Sequence, residues 1–192
     1  MHLKRRKMGV LLLAILLSFT LSACSKNEQV VEWNQEDVEY FKHISLSIDE
    51  TNMYEYVGAV DYVFVGTVSE VKNNLIAEKG DSDISTYEIQ VEKNIKGELV
   101  DEIIAKKHGG ISKDGTMLLY FSDKRKDSGL PIEGKTYIFM AYGQNNGDLL
   151  LSEFLDDREY SEDLLEEYQD YYANEIPNNR SRFTSKYDKN YK

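Results

Sequence analysis

Few side chains in this sequence are of types that do chemistry, and their spacing is informative mainly for what it excludes. The one cysteine, Cys24, follows Leu21-Ser22-Ala23 close to the start. His43 and His108 stand far from any glycine pattern that would expose an activated nucleophile. His108-Gly109-Gly110 is the most site-like run: two glycines let backbone amides approach a ligand, and an imidazole titrates near neutrality. These three residues are the candidate ligand-binding positions, against the plainer reading of a glycine turn beside an exposed histidine. Asp81-Ser82-Asp83, after Gly80, offers carboxylate oxygens for Ca²⁺, but Ile84, Ser85 and Tyr87 stand where an EF-hand loop would continue with further ligands. A polar hairpin loop is the simpler meaning. The sequence therefore predicts no catalytic residue, no metal site and no cofactor, and a protein that is not an enzyme.

Cys24 has a different use. Lys4, Arg5, Arg6 and Lys7 precede an apolar stretch over residues 8–21, the layout of an export signal. The stretch falls short of the roughly 18 to 20 apolar residues that a spanning helix needs. A lone exported thiol has no disulfide partner. With Leu at −3, small residues at −2 and −1 and Cys24 next, the segment resembles the cleavage motif of bacterial lipoproteins. The resemblance implies cleavage after Ala23, a diacylglycerol on the Cys24 thiol, and anchorage to the outer face of a cell membrane, as in a Gram-positive envelope. Two acyl chains hold durably, at roughly 0.8 kcal/mol for each buried CH₂. Loss of residues 1–23 removes four cations and no acid, taking the net charge from −11 to −15. So acidic a body is repelled by anionic lipid and polymer, and nucleic acid is excluded as a partner.

Beyond the anchor, residues 24–35 read as a polar tether and residues 36–155 as one domain. Residues 37–41 suit a short helix, whereas Ile44, Leu46 and Ile48 alternate like a strand. Asp49 or Thr51 is placed to cap a helix through Tyr56 or Val57, which presents Met53, Tyr54 and Val57 on one side and ends at Gly58. Strands follow. Residues 62–71 are β-branched and aromatic, with Gly66 marking a bend or bulge. In residues 85–95, Tyr87, Ile89, Val91 and Ile95 alternate with Glu88, Gln90, Glu92 and Asn94. Residues 102–107, 117–121, 136–142 and 148–151 complete the series. Asp114-Gly115, Glu133-Gly134 and Asn146-Gly147 supply turns between them.

Five or six short strands with a glycine-bent first strand predict a mainly β fold, a small OB-like antiparallel barrel with a short N-terminal helix and a C-terminal amphipathic helix. Phe64-Val65-Gly66-Thr67-Val68, the run of Tyr87, Ile89, Val91, Ile95, Lys96 and Gly97, and Gly134 followed by Tyr137-Ile138-Phe139 and Ala141 resemble the OB-fold domain of netrin-like modules and tissue inhibitors of metalloproteinases. Those inhibitors set an amino-terminal cysteine on the protease metal and brace it with disulfides. An acylated Cys24 without a second cysteine cannot do so.

Residues 156–176 are crowded with acids, and Leu164, Leu165, Tyr168 and Tyr172 recur at helical spacing after the capping residue Ser161. A helix over residues 161–173, docked on the barrel by its tyrosines, is expected. Residues 177–192 form a basic, flexible tail. The function these features predict is non-enzymatic recognition of an envelope protein or peptide by a lipid-anchored domain. The alternative is an ion- or small-molecule-binding lipoprotein or an enzyme accessory subunit.

Overall fold

A computed structural model of the chain describes residues 30, 38–43, 48–76, 84–122 and 125–192. The leader, Cys24 and the Asp81-Ser82-Asp83 loop lie outside the described residues.

The elements run β1 (Val38–His43), α1 (Met53–Ala59), β2 (Tyr62–Asn73), β3 (Leu75–Ile76), β4 (Ile84–Lys96), β5 (Glu102–His108), β6 (Gly110–Ser112), β7 (Met117–Phe121), β8 (Thr136–Gly143), β9 (Leu149–Leu151) and α2 (Glu162–Ala173). Strands β2, β4, β5, β9 and β8 close, in that order, into a barrel. Its seams are antiparallel except that of β5 with β9. The fold is thus mainly β, an OB-like barrel with two helices. A second sheet, in the order β1-β7-β6-β3, stands beside it. Residues 117–121, which read as one more strand of the barrel series, belong to this annex: β7 pairs with β1 in parallel and with β6 across the Asp114-Gly115 turn.

Alternation in β2 and β8 sorts apolar side chains into two layers rather than a wet and a dry face. Phe64, Val68, Tyr137, Phe139 and Ala141 fill the barrel with Tyr87, Ile89 and Ile103. Val63, Val65, Ile138 and Met140 point outward under Tyr56, Val57, Leu164, Leu165 and Tyr168 of the helices. Both faces of these strands are therefore buried. At Gly66 the pairing with β4 slips by one residue, and a Cβ there would come within 2.7 Å of Ile89 Cγ2. A second slip between Val63 and Phe64 follows. The slip at Gly66 reverses the alternation beyond Val91, so Ile95 turns out of the barrel into the helix layer and does not share the face of Tyr87, Ile89 and Val91.

Neither Asp49 nor Thr51 caps α1; Asn52 does, accepting from the Tyr54 amide. Gly58 does not end the helix either. It lies inside it, and a Cβ there would fall 1.9 Å from the Ile176 carbonyl oxygen, so only glycine lets the chain after α2 cross at this point. Ser161 caps α2 through the Leu164 amide, and Leu164, Leu165 and Tyr168 are buried. Tyr172 departs from the expected stripe and stays 40% exposed. Tyr171 takes the inner place with its ring edge-on to Tyr54 and Tyr168. Residues 177–192 run back over the barrel instead of trailing from it. The Ser185 amide donates to the Tyr62 hydroxyl, the Val100 amide to the Tyr187 carbonyl and the Lys186 amide to the Gly147 carbonyl. Main-chain bonds and the guanidinium groups of Arg180 and Arg182, which donate to the carbonyls of residues 58–60 and face Asp61, hold this basic segment down.

Candidate functional site

The barrel and the annex meet along one seam, and the residues with unusual chemistry collect there. In β5 the inward face runs Ile103, Ala105, Lys107, so a lysine occupies a position whose predecessors fill the core. Its ammonium reaches the end of the barrel and donates to Asp127 Oδ2 at 2.5 Å and to the Glu153 carbonyl at 2.6 Å. Both side chains of the pair are 0% exposed. Asp127 Oδ1 accepts from the amides of Gly129 and Leu155, each at 3.3 Å. Its own carbonyl accepts from the Tyr40 hydroxyl of β1 at 3.1 Å. One aspartate, through its carboxylate and its main-chain carbonyl, therefore ties together β5, the loop after β7, the segment after β9 and the annex edge. Burial pushes its pKa up and the charge of Lys107 pulls it back.

Above this tie opens a groove of about 790 Å³. Val38 and Met117 come from the annex, Leu130 and Ile132 from the loop, and Tyr137 and Leu155 from the barrel side; Tyr160 also lines it. The Tyr137 hydroxyl accepts from the Ile132 amide at 3.3 Å, which fixes that ring in the wall. The rim carries Lys135, Asp157, Arg158 and Glu159. Arg158 is braced by Asp156 at 2.7 Å and Glu167 at 2.9 Å. Aliphatic and aromatic side chains share the lining with at least as much polar and charged surface, a mixture that suits a polar chain such as a peptide.

The sequence candidates lie elsewhere. His108 ends β5 with its ring 5.2 Å from that of Tyr120. Gly109 has φ +103°, and a Cβ on it would sit 2.7 Å from the Leu118 carbonyl oxygen. A Cβ on Gly110 would sit 2.7 Å from that of Asn74. These glycines serve the close packing of annex on barrel, and the Gly109 carbonyl accepts from the buried Ser85 hydroxyl at 2.8 Å. None of the three lines the groove. In β5, Lys106 pairs with Asp148 at 2.7 Å and Lys107 with Asp127. Sequence reasoning missed the buried pair, although a lysine in phase with Ile103 and Ala105 was its visible sign. Among the described residues no group of three or more His, Cys, Asp or Glu is placed to hold a metal ion. No helix among them is long and apolar enough to cross a membrane.

No protein-family model matches the chain, and no curated protein matches it.

Proposed function

We propose that the protein is a lipoprotein held by Cys24 on the extracytoplasmic face of a cell membrane, and that it recognises an extended peptide segment of an envelope protein without catalysing a reaction. The observation that carries the reading is the groove between barrel and annex. Its tyrosines and aliphatic walls offer rigid apolar area, and its rim offers both signs of charge to fix the orientation of a bound chain. The OB-like strand order supports the same use, since such barrels bind along one face and its loops.

The test is retention of an envelope protein by residues 25–192, compared with the Tyr160→Ala variant. A partner held by the parent and lost by the variant is expected. Capture that ignores the substitution, or turnover of a defined substrate, overturns the reading. The anchor is tested separately: Cys24→Ser should release the protein to the medium or leave the leader uncleaved. A substituted protein that stays membrane-bound at mature size would refute it.

A further inference from the structure

The pair formed by Lys107 and Asp127 is arranged for more than charge. The lysine nitrogen lies 2.5 Å from Asp127 Oδ2, and both side chains are 0% exposed. The carboxyl carbon stands one bond, about 1.2 Å, behind that oxygen. Nitrogen and carbon are therefore within about 3.7 Å, close to the roughly 3–3.5 Å of a near-attack pair. The other oxygen, Oδ1, takes its bonds from the main chain, accepting from the amides of Gly129 and Leu155 at 3.3 Å each. Two main-chain donors on one carboxyl oxygen are the arrangement that stabilises an oxyanion when a nucleophile adds to the carbon.

The surroundings favour the neutral forms of both groups. The desolvation penalty of two buried charges can exceed their attraction. Transfer of one proton along the existing hydrogen bond removes both charges and leaves an amine beside a carboxylic acid. Burial pushes the carboxyl of Asp127 toward its protonated form, and that of Glu153, whose main-chain carbonyl takes the same lysine at 2.6 Å, in the same direction. An amine held on a carboxylic acid, with an oxyanion site behind it and water shut out, has the parts of an amide condensation.

We propose that Lys107 and Asp127 condense to an internal amide bond that ties β5 to the loop after β7. The lysine nitrogen, having given one proton to Oδ2, adds to Cγ, and Oδ1 carries the developing charge under the two amides. A second proton from the nitrogen joins the Oδ2 hydroxyl, which leaves as water. A C–N bond forms, a C–O bond breaks, and no oxidant or co-reactant is needed. Gly129 and Leu155, whose amides hold Asp127, line the groove with Ser128, which gives the water its way to solvent. Until the bond forms, the two groups are the ion pair described above. The single cysteine leaves the chain no internal disulfide, and this bond locks the annex to the barrel in its place. The proposal is independent of what the groove binds.

The experiment is mass spectrometry of the full chain, purified in detergent and unfolded, beside the Lys107→Arg variant. The variant carries the same leader or lipid and keeps the charge, but it cannot condense. After correction for the substituted residue, most of the parent molecules should be lighter than the variant by one water. Tryptic digestion of the parent should yield a branched peptide that joins residues 107–113 to residues 127–135. Should the arginine variant not be recovered, Asp127→Ala takes its place as the reference. A parent mostly at full mass, with Lys107 and Asp127 in separate peptides, leaves an ion pair only and overturns the proposal. A deficit of one water carried by other residues overturns it as well.

Discussion

The barrel and the annex are both β-sheets, yet they are held by different means. In the barrel every strand has a neighbour on each side, and apolar side chains are buried both inside and beneath the helices. The annex is an open sheet of four strands whose own core is small, chiefly Ile111, Met117, Leu119 and Leu130. Its attachment depends on polar ties at the seam, above all Lys107 with Asp127. Closure and area stabilise the first region; a buried charge pair and two close glycine contacts locate the second. The groove lies where these two kinds of order meet, on the side that the polar tie governs.

The largest effect expected is from truncation after Leu155. It strips the outer layer of Leu164, Leu165 and Tyr168, at roughly 1.5–3 kcal/mol for each leucine-sized side chain. The melting temperature should fall steeply, and unchanged melting would mean that the helix layer contributes nothing to the barrel. Next comes Lys107→Met, which leaves Asp127 buried without a counter-charge and should cost about 3–5 kcal/mol in urea unfolding. Lys107→Met with Asp127→Leu should recover much of that. If the double variant is no better than the single one, the amide bonds to Asp127, not the pair, hold the seam.

Leu119→Ala and Ile89→Ala sharpen the comparison itself. Each should cost about 2–5 kcal/mol at its own site. In native-state hydrogen exchange, Leu119→Ala should loosen residues 110–121 and spare β2 and β8, whereas Ile89→Ala should loosen both sheets. Identical protection patterns would show that barrel and annex unfold as one unit. Gln90→Ala, on the wet face of the same strand, should stay within about ±0.5 kcal/mol.

The smallest effects concern pH, and they have opposite signs. Glu153 is raised by burial, so the folded state binds its proton more tightly than the unfolded chain. Stability from this group falls as pH rises from the ordinary glutamate range through the raised value. Asp148, held down to about 2 by Lys106 and Lys186, stabilises above the ordinary aspartate range and loses that contribution as pH falls toward 2. Glu153→Gln should flatten the decline on the alkaline side of a melting-temperature profile, and Asp148→Asn the decline on the acid side. Matching profiles for both variants would refute the assignment.

Much of the barrel was legible in the sequence because its strands carry local signals. β-branched runs, strict alternation in β4 and the turns at Gly115, Gly134 and Gly147 mark the elements to within a few residues. The cap at Ser161 and the spacing of Leu164, Leu165 and Tyr168 did the same for α2. The groove was not legible. Its walls come from β1, β7, β8 and two loops, which pairings between distant parts of the chain bring together.

By itself, then, the sequence determined the period of each strong element and the acidic character of the body, since these depend only on neighbouring side chains and their charges. The tertiary structure decided whatever depends on register and on distant partners. The slip between β2 and β4 at Gly66 moved Ile95 to the other layer. Parallel pairing with β1 drew β7 into the annex. The same folding put Lys107, in phase with core residues, against an aspartate 20 positions away. A lysine at an inward position is destabilising until its partner arrives, and only the folded chain supplies the partner.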